Sequence, residues 1–127
     1  ASSQADGALV MEGVNGLPFV GPALSAEFVR GMVRGAKGRS ARVFVGSMVP
    51  TIVGRPRSQV PADLVAYNAK LQQMTREEGV EFVDLYTVLL AEAGTVIGVD
   101  GLHPTEVGYK RIADLFFAAI QASLELK

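Results

Sequence analysis

Three short apolar runs, at residues 8–11, 41–46 and 80–85, are separated by longer segments with helical period. This alternation constrains the chain more than any other feature. Strand, helix, strand in repetition pairs parallel strands, with helices covering the sheet. It predicts an α/β protein with three layers, α/β/α, around a parallel sheet.

The first helical segment covers 23–36. It has Leu24, Phe28, Met32 and Val33 at helical spacing and Ser25 as a candidate cap. Arg30, Arg34 and Lys37 lie toward its C-terminal end, where cations are favoured. The second starts near Pro61, which suits a first helical position, and ends at Gly79. Its face is Leu64, Asn68, Leu71 and Met74/Thr75. A helical turn or two is expected over 87–93. The last helix runs from about 104 to 124, with Ile112, Leu115/Phe116, Ala119/Ile120 and Leu124 on its apolar side. Between the second strand and second helix, residues 47–59 form a long loop, a kind that often carries function.

Composition excludes several functions. The chain has 127 residues, fitting one domain, and 49% of them are hydrophobic, enough for a core. There is no cysteine, so disulfides, thiolate metal sites and a cysteine nucleophile are excluded. The net charge of −1 argues against a general nucleic-acid binder. The basic run Arg30, Arg34, Lys37, Arg39, Arg42 is read as a solvated helix end rather than a nucleic-acid patch. No apolar run approaches the roughly 18 residues that span a bilayer. A metal site would need more ligands than one histidine with Asp84 and Asp100. The segment from Gly35 to Gly38 follows a helix and lacks the order of a phosphate loop.

Open parallel sheets bind ligands beyond the carboxyl ends of their strands. Asn15, Ser47, Asp84, Tyr86 and the 94–103 loop all fall there. The only histidine, His103, lies three residues after Asp100 and directly before Pro104. An imidazole acts as a general base near neutral pH when a carboxylate fixes its tautomer. A surface histidine beside an unrelated aspartate has the same sequence, as does an ordinary turn asparagine at Asn15. Arg55 and Arg57 in the long loop suit either solvent or an acidic substrate. Ser47 is the serine best placed at a strand end, yet it leads into a long loop rather than the tight turn a nucleophile needs.

Taken together, these stretches resemble the SGNH (GDSL-type) hydrolases. Gly13-Val14-Asn15 is similar to their third block, and Asp100-Gly101-Leu102-His103-Pro104, continued by Gly108-Tyr109, to their fifth. Tyr67-Asn68 and Val83-Asp84-Leu85-Tyr86 are similar too. The resemblance implies a flavodoxin-like SGNH fold and hydrolysis of carboxylic esters, of the esterase, lipase or carbohydrate acetylesterase kind. It implies His103 as general base, Asp100 as its orienting acid, and Asn15 and Gly13 at the oxyanion hole. Apart from the resemblance, the place of Ser47 and Arg55 in the long loop makes them candidates for a substrate loop. No metal or organic cofactor is implied.

Two departures from the pattern stand out. Gly16 stands where the family usually has aspartate. The Gly-Asp-Ser block that carries the nucleophile, and the second block, are absent. Residues 1–127 are therefore read as the C-terminal portion of a single SGNH-hydrolase domain whose first strands and serine lie on another segment. That segment, or a second copy of the chain, would pair with it. The alternative is a catalytically inactive SGNH-like module that binds a partner or an ester ligand. The sequence leaves compartment and substrate open.

Overall fold

The computed structural model describes residues 7–12, 16–39 and 42–125. Strands β1 (Gly7–Val10), β2 (Arg42–Gly46) and β3 (Glu81–Val83) form a parallel sheet in the order β1-β2-β3. Leu9 pairs with Phe44, and Val45 with Phe82. The crossovers α1 (Leu17–Gly38) and α2 (Pro61–Glu78) lie against one another. After β3 come α3 (Leu85–Leu89), a 3₁₀ turn (Leu90–Glu92), α4 (Ala93–Val96) and α5 (Glu106–Glu125).

Strand side chains alternate between faces, and β2 divides the core accordingly. Val43 and Val45 face α1 and α2, packing with Val10, Val29, Val33, Leu64 and Tyr67. Phe44 faces the other way, toward Leu85, Leu89, Ile97, Ile112 and Phe116. The arrangement is the expected α/β/α sandwich. Gly46 lets α5 approach, since a Cβ there would lie 2.7 Å from the Phe116 ring.

Several local expectations are corrected. The first helix begins at Leu17, breaks at Gly21 (φ +83°) and resumes through Pro22. Ser25 is buried in the helix interior rather than at its cap, which is Gly16. The buried face of α1 is Ala26, Val29, Val33 and Ala36. These small residues let the helix sit close to the sheet, while Leu24, Phe28 and Met32 remain exposed. Strand β3 ends at Val83 because Asp84 caps α3, its Oδ1 accepting from the Thr87 amide. Helix α5 starts at Glu106, because Pro104 is held in an antiparallel bridge with Ile97.

Candidate active site

The described residues that directly follow the three strands lie at the carboxyl edge of the sheet. Each strand end is tied by a side chain from elsewhere. The Tyr67 hydroxyl donates to the Glu12 carbonyl at 2.5 Å, just beyond β1. Burial, followed by the nearby Glu12 charge, raises the Tyr67 pKa and keeps the phenol a donor. One residue on, Asn68 accepts from the Met48 amide at 2.8 Å, just beyond β2. Ser47 is fully buried. Its hydroxyl accepts from the amides of Leu85 and Tyr86 at 2.9 and 3.0 Å and donates to the Met48 carbonyl. Ser47 thus satisfies orphan donors at the start of α3, and its oxygen is enclosed by backbone rather than turned toward a substrate.

Asp100 and His103 sit on a turn that runs from Ile97 to Thr105. The Gly98 amide donates to the His103 carbonyl at 2.8 Å, and the Thr105 amide to the Val96 carbonyl at 2.8 Å. Thr105 Oγ1 accepts from the Gly108 amide at 3.0 Å and so caps α5. Gly108 lies against α4, where a Cβ would meet the Val96 carbonyl oxygen. The turn is therefore closed across its base and carried by the start of a long helix.

Within the turn, the Asp100 carboxylate is fixed by the backbone. Its Oδ1 accepts from the amides of Leu102 and His103, each at 2.9 Å. This leaves Oδ2 to meet His103 Nδ1 at 2.5 Å. The His103 bond first, and the two amides second, hold the Asp100 carboxyl far below the usual carboxylate range. The imidazole side chain is 59% exposed, and its Nε2 has no hydrogen-bond partner among the described residues. An imidazole whose Nδ1 is engaged by a carboxylate presents Nε2 as a proton acceptor.

The sequence-predicted residues thus divide. Asp100 and His103 are brought together. Arg55 comes to the same turn, but through a hydrogen bond from its guanidinium to the Val99 carbonyl at 3.2 Å. Gly13 and Asn15 lie outside the described residues. No serine among the described residues is hydrogen-bonded to His103, and no three or more His, Cys, Asp or Glu among the described residues are grouped so as to hold a metal ion. Nothing in the sequence marks Tyr67, Asn68 and Ser47 as anchors of the strand ends. No spacing signals them, because each depends on two distant segments meeting.

A model of the GDSL-like lipase/acylhydrolase family matches residues 1–111. The chain is similar to an acetylxylan esterase of Xylanibacter ruminicola, with 34% identity over 50 residues, which is 39% of this chain and 10% of that protein. Its fold is similar to the lipase/acylhydrolase from Enterococcus faecalis, with TM-score 0.78 and 19% identity over 93% of this chain and 62% of that one. It is also similar to a carbohydrate esterase family 3 protein from Talaromyces cellulolyticus, with TM-score 0.76 and 18% identity over 98% of this chain and 61% of that one. The chain spans about three fifths of those two structures and a tenth of the curated relative.

Proposed function

The chain belongs to the GDSL-like lipase/acylhydrolase family, and on that premise we propose that it forms the C-terminal part of a serine-type carboxylic ester hydrolase. The observation that carries this reading is the Asp100 carboxylate, locked by two amides and meeting His103 Nδ1 at 2.5 Å. His103 Nε2 takes the proton of a serine hydroxyl as that oxygen attacks the ester carbonyl. It then returns the proton to the departing alcohol. A water molecule, activated by the same nitrogen, breaks the acyl-enzyme. Asp100 fixes the ring's tautomer and stabilises the imidazolium. Gly13 and Asn15 supply oxyanion donors at the end of β1.

The serine lies on a segment outside residues 1–127. Two features support a partner segment, or a second copy, against β1. Among the described residues β1 pairs only with β2, and Leu9, Leu24, Phe28 and Met32 expose apolar surface. The substrate class to test first is an acetylated carbohydrate, because the curated relative and one structural neighbour are named for carbohydrate esters.

The test is release of acetate from acetylxylan, and of nitrophenol from an aryl acetate, by the protein with its upstream segment and by its His103→Ala variant. Loss on the order of 10³-fold or more is expected on removing the base. Undiminished hydrolysis by the variant refutes the assignment. One observation favours a second reading, an inactive module that binds a partner or an ester: no serine among the described residues is hydrogen-bonded to His103. Ligand binding without turnover by the extended protein would select it.

A further inference from the structure

Three consecutive carbonyls of the turn that carries Asp100 and His103 are taken by donors from one loop. The Ile52 amide donates to the Gly101 carbonyl at 2.9 Å, and the Arg57 amide to the Asp100 carbonyl at 2.7 Å. The Arg55 guanidinium donates to the Val99 carbonyl at 3.2 Å. We propose that the 51–59 loop is a clamp on the Asp100–His103 turn, and that Arg55 is a positioning residue acting on the reaction through Val99 rather than through substrate. The inference rests on the assignment of His103 as the base and names what holds it.

The loop can act as a clamp because it holds its own shape. Thr51 Oγ1 ties its two ends, accepting from the Gln59 amide at 3.2 Å and donating to the Gln59 carbonyl at 3.4 Å. Inside it, the Arg55 amide donates to Ile52 and the Ser58 amide to Arg55, at 3.3 and 3.2 Å. The contact with the turn is close. A Cβ on Gly101 would lie 2.4 Å from Arg55 Cβ and 2.8 Å from the Ile52 carbonyl oxygen, and Gly101 has φ +82°. Glycine is therefore required there twice over, for backbone conformation and for space.

The turn needs outside support. Its Asp100 side chain is committed inward, to Leu102 and His103, and the His103 ring projects into solvent. A base held by its own turn alone would swing with that turn. A displacement of about 1 Å at a reacting group costs roughly 100-fold in rate. The three donors add to the closing bonds of the turn, Gly98 to His103 and Thr105 to Val96. Arg55 itself is exposed, so its removal leaves the core intact.

The experiment compares wild-type protein, Arg55→Ala and Arg55→Lys, each carrying its upstream segment. The ring nitrogens of His103 are observed by ¹⁵N NMR after histidine labelling, at alkaline pH where the imidazole is neutral. The signals are assigned by their loss in His103→Gln. With the turn fixed, Nδ1 stays protonated against Asp100 and the two nitrogens remain well separated in shift. In Arg55→Ala the shifts converge as the tautomers mix, and kcat on an aryl acetate falls about 10- to 100-fold with KM within about 2-fold. Lysine, which keeps a donor for the Val99 carbonyl, restores most of both.

Unmoved ring signals in Arg55→Ala overturn the clamp and leave the esterase reading standing. A raised KM with unchanged kcat also overturns it, since that marks direct contact with substrate. Hydrolysis surviving His103→Ala defeats the esterase reading and leaves the ring measurement untouched.

Discussion

Asp100 does separate work with its two oxygens. Oδ1 closes the turn through two amides and Oδ2 holds the imidazole. Asp100→Asn separates these tasks. An amide oxygen still accepts from Leu102 and His103, so the turn survives. The amide nitrogen then faces Nδ1 and forces the ring proton onto Nε2, the tautomer that cannot accept a proton from serine. Hydrolysis by the protein with its nucleophile segment is expected to fall on the order of 10³- to 10⁴-fold, with little change in melting temperature. Steady-state kinetics and a thermal scan read the two effects, and near-wild-type rates would remove Asp100 from the mechanism. This pair is legible in the sequence only through the likeness of residues 100–104 to the family's fifth block, since the spacing alone fits a surface histidine beside an unrelated aspartate equally well. Ser47 is not. A serine after a strand reads the same whether its hydroxyl faces solvent or, as here, the first amides of a helix that starts 38 residues later.

At the scale of elements, α5 does more than cover the sheet. The turn that holds His103 runs directly into its start. Thr105 caps it, Glu106 meets its positive end, and Gly108 brings it against Val96. A Cβ at Gly108 would meet a backbone carbonyl, which cannot rotate aside as a side chain can. Gly108→Ala is therefore expected to cost about 1–3 kcal/mol by overpacking. It should also lower kcat, because the strain enters the segment that presents His103. Denaturant unfolding and kinetics on one preparation check both. A stable variant with full activity would show that α5 is free to shift. The helices and strands are legible from period and punctuation, but their faces are less so. Leu24, Phe28 and Met32 mark an apolar stripe on α1 as clearly as Val29 and Val33 do, yet only the latter are buried. Period identifies an apolar face. It does not say whether the layer that covers it lies within the same 127 residues.

At the scale of the whole molecule, an ion cluster fastens α1 to the end of α2 and makes the fold sensitive to acid. Arg30 reaches Glu27, Glu77 and Glu78 at 2.9, 2.6 and 2.7 Å, and Arg34 reaches Glu78 at 3.0 Å. Lys37 lies 3.7 Å from Glu78. The run of cations read from sequence as a solvated helix end is thus partly paired, because α1 and α2 lie against one another and bring the last acids of α2 to Arg30 and Arg34. Exposed ion pairs contribute little, but the Glu78 side chain is only 9% exposed. Arg34 first, and then Arg30, bring its pKa from 4.5 down to about 2. A carboxylate with a depressed folded-state pKa contributes its stability in full above the ordinary value and loses it as pH falls through the folded one. The protein is therefore expected to lose stability between 4.5 and about 2. Asp100, Glu77 and Glu92, also lowered, add to the same trend. Glu78→Gln removes one titrating group from that window. The variant should melt lower than wild type at neutral pH and converge with it toward pH 2. Parallel melting curves across the whole range would mean that the cluster does not couple to folding, and that α1 and α2 are held together by Val29, Val33, Leu64, Leu71 and Met74 alone.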